Sequence, residues 1–170
     1  TPAERARLRA YLLNGGMIIL NPGMGSKPFY DSARAELNAI FPETPVQRLA
    51  PDHPLLHAYY DLDTVSYRAG VRAAGYTGNE PWLEGVTINC RTVAVISRWG
   101  MEVGWDPLED DRLRAYSTES AKQIGMNLLA YATAQRAWTR QTARAMQFID
   151  ASPAAAASRL FIAQVVYDGE

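Results

Sequence analysis

The chain has 170 residues, 48% of them hydrophobic and 21% charged, which suits one domain with a buried core and argues against disorder, a fibrous repeat or two full domains. A net charge of −1 supplies no global field for nucleic acid or an anionic membrane, and a single cysteine excludes an internal disulfide framework and a cysteine-based zinc site. The longest apolar run, Met17 to Leu20, is far below the roughly 20 residues of a membrane helix, so a soluble fragment is expected, with its compartment open.

Thr1-Pro2-Ala3-Glu4 has the pattern of a helix start, with Thr1 as cap, Pro2 at the first helical position and Glu4 closing a capping box. Because the chain opens there without an initiator Met, the natural protein is expected to continue upstream, where a signal or anchor would lie. The helix should run through Leu8, Tyr11 and Leu12 to Gly15-Gly16, and Met17 to Leu20 reads as a strand buried on both faces. Asn21 to Pro28 is a glycine-rich loop, and Phe29 to Phe41 repeats apolar residues at helical spacing until Pro42 and Pro45. Val46 to Leu49 suits a short strand before the turn Asp52-His53-Pro54. Residues 55–79 read as irregular, with short elements.

Leu83 to Asn89 and Thr92 to Ser97 are β-rich, separated by Cys90-Arg91, and predict a hairpin or neighbouring strands. Arg98 to Asp111 is a loop holding Trp99, Trp105 and five acidic residues. A long helix, or two, follows from Ser120 to about Ala137, with an apolar pattern continuing through Trp138, Ala145, Met146 and Ile149. Residues 1–150 are expected to form the α/β domain, 151–158 a linker and 159–170 one further buried strand.

Helices interleaved with apolar strands predict an α/β fold, a three-layer sandwich with a mostly parallel central sheet flanked by helices. Ligands of such sheets bind beyond the carboxyl ends of strands, in the loops Asn21 to Pro28 and Ser97 to Trp105. The candidate ligand-binding residues are therefore Asn21, Gly23, Gly25, Ser26, Lys27, Arg98, Trp99 and Glu102.

Gly23-Met24-Gly25-Ser26-Lys27 suits an anion at a helix start, but the triphosphate-loop spacing fails and Pro28 occupies the hydroxyl position. The plainer reading is a turn that needs glycine for its backbone. His53 and His57, with Asp52, Asp61 and Asp63, carry metal-ligating atoms, yet Pro54 breaks the helix that would align the rings, and turn and cap bonds are the expectation for Asp52 and His53. Cys90 lacks the elbow of a nucleophile and is expected to be a buried small hydrophobe. Glu102, Asp106, Glu109, Asp110 and Asp111 read as a solvated acidic loop against an acid/base or calcium alternative. Tyr59, Tyr60, Trp82, Trp99 and Trp105 keep a protein-docking face open, expected as an exposed apolar patch.

Leu8 to Gly16, Asp52-His53-Pro54, Leu83-Glu84-Gly85-Val86, Thr92 to Ser97 and Gly125 to Ala132 resemble a bacterial family of domains of unknown function, number 4159, over roughly Thr1 to Thr133. That resemblance implies a branch of the class I glutamine amidotransferase-like superfamily with a flavodoxin-like fold. The superfamily's enzymes use an elbow cysteine and a later His-x-Glu pair; neither motif occurs here, and no cofactor is implied. Members of the family open with a strand that Arg159 to Glu170 resembles, which implies tandem copies, or else a permuted order. Either way the terminal strand is expected to complete the sheet, within the chain or by exchange in a homodimer.

The reading is a non-catalytic binding or scaffolding module for a small polar ligand or a protein, with a hydrolase acting on a small polar or sugar-like substrate as alternative. The hydrolase requires the loops at Asn21 to Lys27 and Arg98 to Trp105 to meet.

Overall fold

The computed structural model describes residues 1–106 and 110–150, with side chains to residue 134. Helix α1 (Pro2–Leu13) starts at the predicted capping box: the Thr1 hydroxyl accepts from the Glu4 amide, and the Glu4 carboxylate accepts from the Thr1 amino group at 2.7 Å. Gly15, at φ 99°, turns the chain into β1 (Ile18–Leu20). Helix α2 (Lys27–Ile40) follows the glycine-rich turn, and β2 (Gln47–Arg48) is the short strand expected after it. The irregular stretch contains a 3-10 turn (Pro54–His57) and the short α3 (Ala69–Ala73). Strands β3 (Leu83–Ile88) and β4 (Arg91–Ser97) form a hairpin, then come α4 (Glu102–Trp105) and the long α5 (Thr118–Asp150).

Among the described residues the sheet has four strands in the order β1-β4-β3-β2. Only β1 and β4 are parallel; β4-β3 and β3-β2 are antiparallel, so the mostly parallel sheet expected from sequence is instead a mixed one. The cause is local: a strand-turn-strand with two connecting residues can only return antiparallel. The fold is mixed α/β.

Both sheet faces are covered. Leu12 of α1, Tyr30, Leu37 and Ile40 of α2 and Phe41 just after it pack on Val86, Val93, Ala94 and Ile96, while Ile124, Leu128 and Tyr131 of α5 pack with Leu55, Leu83 and Val95 on the other face. Val93 is an extra residue in β4, opposite the step between Val86 and Thr87, which places Val93 and Ala94 in the same cluster.

Two expectations need correction. Cys90 is exposed, not buried: Asn89 (φ 50°) and Cys90 (φ 61°) are the two central residues of the hairpin turn, whose backbone points side chains outward. Strand β1 is not buried on both faces: among the described residues it pairs only with β4, and Ile19 is 40% exposed. The predicted linker 151–158 and strand 159–170 lie outside the described residues. No helix among the described residues is long and apolar enough to cross a membrane.

Candidate functional site

The loops leaving β1 and β4 meet, as two neighbouring parallel strands require. The Asn21 side chain spans them: its Oδ1 accepts from the Met101 amide at 2.9 Å and its Nδ2 donates to Glu102. The other Glu102 oxygen accepts from the Met24 amide. A third segment laces the junction, because Gly100 donates to the Arg114 carbonyl at 3.0 Å and receives the Tyr116 amide at 3.0 Å.

Gly25 explains why this turn needs glycine. It has φ +71°, and a Cβ there would fall 2.2 Å from the Arg114 carbonyl oxygen. Gly23 faces open space. Ser26 caps α2 by accepting from the Phe29 amide at 3.4 Å, and exposed Lys27 pairs with Asp31 one turn on. Thus Asn21, Gly23, Gly25 and Glu102 form one junction with Ser26 and Lys27 beside it, while their polar atoms engage one another.

Arg98 and Trp99 form a second group. The Arg98 guanidinium lies 5.0 Å from the Tyr30 ring centre and 4.3 Å from that of Trp99. Trp99, 3% exposed, continues through Tyr76 and Trp82 into a run of aromatic contacts that includes Tyr67 and Tyr116. Two donors here are buried without a partner among the described residues: Arg98 Nη1 and Trp99 Nε1. Such groups cost roughly 1–3 kcal/mol each unless something accepts from them.

The group has neighbours that the sequence did not single out. Glu84 on β3 is buried, accepts from Arg34 Nε at 2.9 Å and lies 3.5 Å from Trp82 Nε1. Burial, reinforced by Glu84, pushes the Tyr30 phenol up to about 12, so it stays an O–H donor. A glutamate inside an otherwise β-rich run was the signal available for this buried polar group, as was Arg34 on the helix opposite.

The remaining candidates separate. His53 Nδ1 accepts from the Leu55 amide at 3.1 Å and its Nε2 lies 2.9 Å from the Thr92 hydroxyl, which is the cap role expected of it. His57 instead bonds the Pro51 carbonyl and Asp61. Trp105, half exposed, pins its loop by donating from Nε1 to the Ala121 carbonyl at 2.9 Å. Of the aromatic segment Tyr59 to Trp82, Tyr67, Tyr76 and Trp82 pack against the core, whereas Tyr59 and Tyr60 face outward. Cys90 sits in the turn before the far end of β4, about 26 Å of extended chain from Arg98.

Residues 1–133 match the domain-of-unknown-function family DUF4159. The chain belongs to that family. No curated protein matches it.

Proposed function

We propose that this DUF4159 chain is a binding module that takes a small anionic or strongly polar ligand at Arg98 and Trp99, and that it belongs to the class I glutamine amidotransferase-like, flavodoxin-like superfamily without its glutaminase chemistry. The observation that carries the binding role is the pair of buried, unpartnered donors Arg98 Nη1 and Trp99 Nε1, packed against the same aromatic cluster. A planar carboxylate or a phosphate oxygen accepts from an arginine and an indole N–H in the way these two groups lack. The parallel pair β1-β4, helices on both sheet faces and junction loops beyond these strands support the superfamily reading. The distance of Cys90 from that junction, and the engagement of both Glu102 oxygens, speak against a nucleophile-and-base arrangement.

Tryptophan fluorescence titrations with phosphate, acetate and a neutral sugar test this. Phosphate or acetate should quench saturably, and Trp99→Phe, which keeps an aromatic ring and removes the indole N–H, should weaken binding about tenfold, the equivalent of 1.4 kcal/mol. Trp105→Phe should leave the affinity unchanged. No saturable response to any of the three probes, or an unaltered Trp99→Phe affinity, overturns the reading.

One observation favours the hydrolase alternative: the loops it needs do meet, through Asn21, Met24, Met101 and Glu102. Turnover of nitrophenyl esters or glycosides that disappears in a folded Glu102→Gln variant would replace the binding role with that one.

A further inference from the structure

The unpartnered donors Arg98 Nη1 and Trp99 Nε1 belong to neighbouring residues just past the end of β4, and the guanidinium carbon stands 4.3 Å from the indole ring centre. One small group with two acceptor oxygens can therefore face both. The charges around the pair decide how many negative charges that group carries.

Three rings frame the pair: Trp99 itself, Tyr30, whose ring centre is 5.0 Å from the guanidinium carbon, and Trp82, edge-on to Trp99 with centres 6.2 Å apart. Buried Glu84 touches two of them, lying 3.5 Å from Trp82 Nε1 and facing the Tyr30 phenol. It accepts from Arg34 Nε at 2.9 Å, and Arg34 reaches toward water, its side chain 44% exposed. The Arg48 guanidinium packs on the Trp82 ring at 4.4 Å and pairs with Glu80 at 3.7 Å.

Arg34 with Glu84, and Arg48 with Glu80, each sum to zero. Of the charged side chains that these contacts bring to the three rings, Arg98 is the one left with no opposite charge against it. A single negative charge on a ligand is balanced there. A second would be buried without a counter-charge and would face the Glu84 carboxylate across one aromatic ring, where water screens little. The Arg34–Glu84 pair is itself a dipole, and its negative end is the buried one.

We propose that the site at Arg98 and Trp99 selects a carboxylate monoanion over a dianion, with Glu84 as the residue that rejects the second charge. This selectivity rests on the binding role proposed above and gives it a ligand class. Two donors match the two oxygens of one carboxylate, and one uncancelled arginine matches its single charge.

The test compares acetate with sulfate, which keeps two charges throughout the neutral range, in the 170-residue chain at equal ionic strength. Nitrogen-edited NMR follows the indole N–H signals, and Trp99→Phe identifies the Trp99 signal by its loss. In the parent, acetate should shift that signal saturably with a Kd about tenfold or more below that of sulfate. Glu84→Gln keeps an acceptor toward Arg34 and removes the charge, so it should move the ratio of the two Kd values about tenfold toward sulfate. Arg34→Gln should move it the other way. A purely structural role for the pair would weaken both anions alike and leave the ratio where it was.

Saturable binding of both anions with a ratio unmoved by Glu84→Gln, or a parent that prefers sulfate, overturns the selectivity and leaves the binding role standing. A Trp99 signal that responds to neither anion overturns both. Should Glu84→Gln not fold, Arg34→Gln, at a partly exposed helix position, decides alone, and an unmoved ratio there overturns the selectivity.

Discussion

The Asn21 carboxamide and the Glu102 carboxylate hold the end of β1 to the end of β4: Asn21 Nδ2 donates to Glu102, while Asn21 Oδ1 receives the Met101 amide at 2.9 Å. Replacing the carboxylate with an amide turns one acceptor into a donor facing a donor. Glu102→Gln should lower stability by about 1–3 kcal/mol, read as a shift in the urea midpoint at unchanged slope. An unchanged midpoint would mean that the junction holds nothing together.

The two glycines of the turn should respond in opposite directions. Gly25→Ala forces a left-handed backbone onto alanine and drives its Cβ into the Arg114 carbonyl, a loss of roughly 2–4 kcal/mol. Gly23→Ala meets nothing within 4 Å and should be neutral or stabilising by about 0.4–1 kcal/mol. Thermal unfolding of the two variants side by side checks this.

Asn127, fully buried on α5, uses its whole hydrogen-bonding capacity. Its Oδ1 accepts from the Tyr59 and Tyr60 amides at 3.2 and 2.7 Å, and its Nδ2 donates to the Leu56 and Tyr60 carbonyls at 2.9 and 2.8 Å. Asn127→Asp opposes acceptor to acceptor and buries a charge, so it should cost more than Asn127→Ala, itself about 3 kcal/mol. Equal midpoints for the two variants would contradict the assigned donor and acceptor ends.

Burial holds the His53 pKa below its ordinary value, so the unfolded chain binds a proton there before the folded chain does. Its contribution to stability is complete above the unfolded value near 6.5 and is lost as pH falls toward the folded one. His57 has the opposite sign: the Pro51 carbonyl, then Asp61, raise its pKa, and its contribution fades as pH rises through the folded value. Unfolding midpoints between pH 5 and 8 should therefore fall less steeply toward acid in His53→Asn than in the parent, and more steeply in His57→Asn.

The elements legible in the sequence were those fixed by local chemistry. The Thr1-Glu4 box, the Pro42 stop and the periodicity of α2 and α5 each involve residues within a turn or two of one another. Strand direction and position were not legible, since apolar residues at 17–20 look alike in a central or an edge strand and only the neighbours distinguish them. The loops after β1 and β4 were found because strand ends mark them. Glu84, Arg34 and Tyr30 escaped, because their proximity arises from β3 and α2 meeting across 50 positions of chain.

The register Ile18↔Ala94 also orders events in time. The β3-β4 hairpin closes over a two-residue turn and can form within microseconds, whereas β1 must wait for a partner more than 70 positions away, with its large loop-closure entropy. On that ground pairing of β1 is expected to follow closure of the hairpin. The strand that joins last is the one whose outer edge still bonds no strand among the described residues.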